Sequence, residues 1–199
     1  SRERMEVAAE RAVKSLANAR VLLTHSSSGS VDALFARMAP EGRRVIVTEA
    51  RPLKEGVRTA RALARRGFDV DLIVDAAAAS CVPEADAAVL GADSVLRDGG
   101  VLNKVGSRSL ARAARDAGVA VYVIADTFKF DPRPPESVTI EEMDPAEVLG
   151  RAPPGVRVRN PYFDRVEPRD ITAIVTERGP LRPSRVARAA DALRPWFWA

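Results

Sequence analysis

The sequence predicts one α/β domain with a Rossmann-like, mostly parallel sheet and helices on both faces. Six short runs carry that expectation: Ala19–Thr24, Arg44–Thr48, Val70–Val74, Ala87–Leu90, Ala120–Ala125 and Thr172–Thr176. They are largely apolar instead of alternating, the pattern of strands covered on both faces. Between and after them, Ser30–Met38, Lys54–Arg66, Ser107–Ala117 and Ser184–Leu193 place small apolar residues at helical spacing, with glycine stops such as Gly67 and Gly118. Strand and helix therefore alternate, which implies crossover connections and puts any ligand site at the carboxyl ends of the strands.

Taken in order, residues 1–20 form a charged amphipathic helix whose Met5, Ala9, Ala12 and Leu16 make one stripe. Such a stripe needs cover, and the expectation is that this helix ends a longer helical region upstream of a domain spanning 21–199. The stretch 131–160 is rich in proline and lacks periodicity, so it reads as a long surface excursion between elements. At the far end Trp196, Phe197 and Trp198 stand together, a group costly to expose that calls for packing over the sheet edge or against another chain.

Composition narrows the function classes. With 46% hydrophobic and only 5% aromatic residues in 199, the chain can build one core of small aliphatics. Its 31 Lys and Arg against 27 Asp and Glu leave a net charge of +4, a weak bias toward anionic ligands. The arginines are scattered over helices, as at Arg58, Arg61, Arg65 and Arg66, without the aromatic interleaving of a nucleic-acid interface, so direct nucleic-acid binding is not expected. A single cysteine, Cys81, and a single histidine, His25, exclude a disulfide framework and a structural zinc cluster. This favours a reducing, cytoplasmic setting with no metal and no cofactor. No apolar run approaches the roughly 20 residues that span a bilayer.

Two loops stand out chemically. In VLLTHSSSGSVDALF a strand ends at Thr24 and a helix opens near Ser30. The intervening turn, with Ser26, Ser27 and Ser28, either receives an anion on free backbone N–H groups and hydroxyls or simply caps the helix. In VLGADSVLRDGGVLNKVGS, Asp93 follows a strand, and Asn103 and Lys104 lie in a glycine-bounded loop just before the next helix. A carboxylate, an amide, an ammonium and a helix N-terminus can together hold a phosphorylated sugar; the alternative is a plain turn with Asp93 as its cap. Glu49 with Arg51, Asp75, and Asp126 with Lys129 also follow strands, and a parallel sheet would gather them at one edge.

The segments LLTHSSS, VTEARPLKEG, LIVDAAAA, VLGADSVLRDGGVLNKVGS, IADTFKF, NPYFDRVEP and ITAIVTERG, in that order from Val21 to Leu193, resemble one family. It unites the α, β and δ subunits of translation initiation factor 2B with methylthioribose-1-phosphate isomerase and ribose-1,5-bisphosphate isomerase. The resemblance implies a pocket for a phosphorylated sugar or nucleotide, bound by Thr24, His25, Ser27, Ser28, Asn103, Lys104 and Lys129, and assembly as a homodimer or with a related subunit. In the isomerases it implies aldose-to-ketose conversion of a ribose 1-phosphate derivative. The acid/base pair there is the aspartate matching Asp93 and a cysteine, whose place Ser26 takes here. A hydroxyl ionises far less readily than a thiol of pKa about 8.5. The expectation is therefore a non-catalytic binding and assembly protein related to initiation factor 2B, with the isomerase as the alternative.

Overall fold

A computed structural model describes residues 2–192, and the aromatic group Trp196, Phe197 and Trp198 lies outside them. The six apolar runs form one sheet. Strands β1 (Val21–His25), β2 (Arg44–Thr48), β3 (Asp69–Ile73), β4 (Ala87–Leu90), β7 (Ala120–Ile124) and β10 (Ala173–Thr176) pair in parallel, and β11 (Gly179–Leu181) adds an antiparallel edge, in the order β11-β10-β7-β4-β1-β2-β3.

Alternate residues of each strand feed opposite layers. Leu22, Val45, Val47, Ala87 and Val89 pack with helices α1 (Arg2–Ser15), α2 (Gly29–Phe35) and α3 (Glu55–Arg65). Leu23, Ile46, Ala88 and Leu90 pack on the other side with α4 (Ala78–Cys81), α5 (Ser107–Asp116) and α6 (Val186–Asp191). Two cores, one on each face, explain why the central strands carry no polar face. The edge strand β3 leaves Leu72 48% exposed.

The α1 stripe is covered within this same body. Ala8, Ala9, Ala12 and Leu16 are buried with Val31, Leu34 and Val175, and Met5 packs beside them.

A second, four-stranded sheet was not legible in the sequence. Strands β5 (Ser94–Leu96), β6 (Val101–Lys104), β8 (Phe130–Asp131) and β9 (Phe163–Val166) pair in the order β8-β5-β6-β9. The segment read as a glycine-bounded loop is thus a hairpin that turns at Gly99 and Gly100, and Asn103 and Lys104 are strand residues. Val95, Val101, Phe130 and Val166 join it to the core on the α5 side.

The excursion 131–160 is mostly exposed. Buried Asn160 pins it: its amide nitrogen donates to Asp144 O at 2.8 Å and to Glu147 at 2.9 Å, and its backbone N–H donates to Glu142 at 2.8 Å. Among the described residues no helix is long and apolar enough to cross a membrane.

Candidate functional site

Chain order reverses at β1. From β1 the chain builds outward to β2 and β3, then returns to place β4 on the other side of β1. The crevice outside the carboxyl ends of β1 and β4 is the topological switch point, where open parallel sheets bind ligands. Both loops singled out by sequence converge there. A Cβ on Gly91, just past β4, would lie 2.2 Å from Ser28 Oγ, so the serine turn and the Gly-Ala-Asp turn rest on each other.

The serine turn is shaped before any ligand arrives. Ser26 is buried and takes a left-handed backbone with φ +67°, a conformation costly for a side-chain-bearing residue and typical of constrained functional turns. Thr59 of α3 donates its hydroxyl to Ser26 O at 3.0 Å, and Arg58 donates to Ser27 Oγ at 2.8 Å. Ser28 is the N-cap of α2, yet its side chain makes no capping bond.

Asp93 reaches solvent at the crevice. Partial burial raises its carboxyl pKa above the usual value, opposed by the charges of Lys129 and Lys104. Asp93, on the turn between β4 and β5, thus lies within electrostatic reach of Lys104 of β6 and of Lys129 on the turn after β7.

Lys104 itself is buried. Its ammonium lies 2.9 Å from Glu55 Oε1 and 3.4 Å from the centre of the Tyr162 ring, and Tyr162 donates its hydroxyl to the same Glu55 oxygen at 3.2 Å. Glu55 Oε2 is buried without a hydrogen-bond partner. Glu55 and Tyr162 were not picked out by sequence. They lie 49 and 58 residues from Lys104, and only the fold joins them.

Three expected ligand contacts turn inward instead. The Thr24 hydroxyl donates to Val89 O at 2.8 Å and is buried between β1 and β4. His25 lies 2.8 Å from Val105 O through Nε2 and 2.5 Å from the Thr48 hydroxyl through Nδ1. A carbonyl only accepts, so Nε2 carries the proton and Nδ1 accepts from Thr48. Burial lowers the ring's pKa, and the neutral imidazole bolts β1 to β2 and to Val105, its partners all structural and its ring unavailable to activate Ser26. The Asn103 amide donates to Ser107 Oγ at 2.8 Å inside the fold.

The N-terminus of α5 was also expected to face the ligand. It is occupied by Asp164 of β9, whose carboxylate accepts from Gly106 N at 2.8 Å and from Arg108 N at 3.1 Å. Burial outweighs these bonds and pushes the Asp164 pKa up to about 6. Its stability contribution is therefore fully present below the unfolded pKa of about 4 and lost as pH rises through 6. Denaturant midpoints for wild type and Asp164→Asn should show the wild type gaining on the variant as pH falls from 7 to 5; a pH-independent difference would refute the assignment.

The remaining strand-end charges mostly shape loops. Asp75 accepts from Ala50 N and Arg51 N, each at 2.7 Å, and Asp126 accepts from Phe128 N at 2.9 Å. Glu49 lies 3.7 Å from Lys54. Cys81, on α4, packs against the core on the α5 side, away from the serine turn.

The model of the initiation factor 2 subunit family matches residues 1–183. Ribose 1,5-bisphosphate isomerase of Archaeoglobus fulgidus is 39% identical over 180 residues, covering 85% of this chain and 56% of that protein. Methylthioribose-1-phosphate isomerase of Pelotomaculum thermopropionicum is 40% identical over 182 residues, covering 81% of this chain and 50% of that protein. The chain thus spans about half the length of these relatives. Among solved structures, the translation initiation factor eIF-2B of Pyrococcus horikoshii OT3 superposes with a TM-score of 0.84 at 32% identity, covering 92% of this chain and 66% of that one. With the family model running across residues 1–183 and relatives near 40% identical over more than four fifths of its length, the chain belongs to the initiation factor 2 subunit family.

Proposed function

We propose that the crevice between β1 and β4 binds a phosphorylated five-carbon sugar and isomerises it from aldose to ketose, with Asp93 as the acid/base. This reverses the order of the sequence expectation, in which the non-catalytic protein stood first. The observation that carries it is the meeting of the Gly-Ala-Asp turn with the preformed serine turn at the switch point, with the charges of Lys104 and Lys129 within electrostatic reach of the Asp93 carboxyl. The isomerase names of the relatives support the same reading.

The chemistry suits one carboxylate. Aldose–ketose conversion takes a proton from C2 and delivers one to C1, while the C2 hydroxyl loses its proton to become the carbonyl and the opened ring oxygen gains one. The two carbons are adjacent, so a single carboxylate on one face can serve both carbon transfers, as one glutamate does in triosephosphate isomerase. Lys129, exposed at the mouth, offers charge to phosphate. Lys104, already paired with Glu55, is held rigid and adds field more than a free hand.

Ser26 favours the second reading, a non-catalytic binding and assembly protein. Its hydroxyl takes the place that the resemblance assigns to the isomerases' cysteine, and both ring nitrogens of His25 are engaged elsewhere. A ketose-forming assay with ribose 1,5-bisphosphate and 5-methylthioribose 1-phosphate separates the two. The isomerase reading expects turnover in wild type, and a rise of about 10-fold or more in Ser26→Cys, because a thiol ionises far more readily than a hydroxyl. Binding without turnover in wild type, with turnover appearing only in Ser26→Cys, would establish the binding protein instead.

A further inference from the structure

The turn that carries Lys129 is held from behind by two residues outside the crevice. Glu177, just past β10, accepts from Thr127 N at 3.0 Å and from the Thr127 hydroxyl at 2.5 Å. Arg4 of α1 donates to the same hydroxyl at 3.1 Å, lies 3.8 Å from Glu177 and stacks 4.4 Å above the Phe128 ring. Thr127 is buried at 2% exposure, so its hydroxyl has both of its roles filled inside the protein. On the front of the turn, Asp126 accepts from Phe128 N, and Lys129 N donates to Asp126 O at 3.0 Å. The backbone from Asp126 to Lys129 is therefore fixed on both sides, and its two exposed side chains are Phe128, stacked under Arg4, and Lys129.

We propose that Glu177, backed by Arg4, is a positioning residue for Lys129, acting through Thr127 to fix the turn that aims the lysine at Asp93. This rests on the reading of Asp93 and Lys129 as parts of the sugar-phosphate site. It also gives α1 a task beyond covering the core, since Arg4 ties the first turn of that helix to the rim of the crevice. A turn freed from Glu177 would let the lysine spread over many rotamers, and a scattered charge exerts less field at Asp93 and holds phosphate less well.

The test needs no ligand at first. The charged groups that act on Asp93 are Lys129 and Lys104, so the Asp93 carboxyl, followed by NMR titration, reports where the Lys129 charge sits. Lys129→Ala should raise its midpoint by about 0.5. Thr127→Val, which changes no charge, should raise it part of the way, and should add nothing in the Lys129→Ala background. Glu177→Ala is sharper still. Removing a negative charge by itself lowers the midpoint, so a rise can come only through the lysine. A midpoint that stays or falls in both variants, or a Thr127→Val effect that persists without Lys129, overturns the proposal; a merely structural role would lower the melting temperature and leave Asp93 unmoved. Calorimetry with ribose 1,5-bisphosphate then separates this from the functional reading. Affinity should fall about 10-fold in Lys129→Ala and about 3-fold in Thr127→Val. If the Asp93 midpoints behave as expected while Lys129→Ala leaves affinity unchanged, the positioning stands and the site reading falls.

Discussion

Asp93→Asn should abolish turnover, lowering kcat by about 10³-fold while affinity for the sugar phosphate holds or improves. Asparagine keeps the size and shape of the side chain but cannot take a proton. The two lysines whose charges act on Asp93 remain, and removing a negative charge beside an anionic ligand does not weaken their hold. Loss confined to kcat is thus the mark of a group that moves protons; an equal loss in affinity would mark one that only binds. The raised pKa of Asp93 works in the same direction. A carboxyl partly withdrawn from water is a stronger base than an exposed one, and the charges of Lys129 and Lys104 oppose that rise. Steady-state kinetics with ribose 1,5-bisphosphate, paired with calorimetry on the variant, would show which loss occurs. Retained turnover would remove Asp93 from the chemistry.

What could be read in advance followed from burial. The central strands are covered on both faces, so Val45, Ile46 and Val47, or Ala87 to Leu90, appear as unbroken apolar runs that no helix period explains. That the serine turn and Asp93 lie on one edge also followed, because parallel strands all end on the same edge; that β1 and β4 are neighbours there depends on the strand order, which only the structure gives. The small sheet did not. Its strands have two to four residues, and β9 is the half-polar Phe-Asp-Arg-Val, so neither length nor alternation sets them apart from loop. The roles of individual side chains were the least legible. The resemblance puts Thr24 and His25 in the site, yet which way each faces depends on the register of β1 against β4 and β2. Asp164 meets the start of α5 from 56 to 58 residues away, and nothing local in either segment announces that pairing.

Gly56→Ala should be the most damaging single methyl in the protein. A Cβ at this position would lie 1.8 Å from Thr48 O, 2.9 Å from Thr48 C and 3.1 Å from Glu49 C. All three are backbone atoms at the end of β2, so no rotamer change relieves the overlap. The first turn of α3 packs directly on that strand end, where Gly56 N also donates to Glu49 O at 3.1 Å. Accommodating the methyl means pushing α3 away from β2. The cost of such overpacking against backbone is about 3 kcal/mol or more, which for a chain of this size lowers Tm by about 10 °C. The displacement also has a chemical reading. Glu55 is the preceding residue, and its hold on Lys104 and Tyr162 depends on where α3 begins. A variant that still folds should therefore lose ligand affinity along with stability, because Lys104 would no longer be held in place beside the crevice. Thermal denaturation and calorimetry on the same preparation test both halves, and a Tm within 2 °C of wild type would show that the contact between β2 and α3 yields more easily than its backbone packing implies.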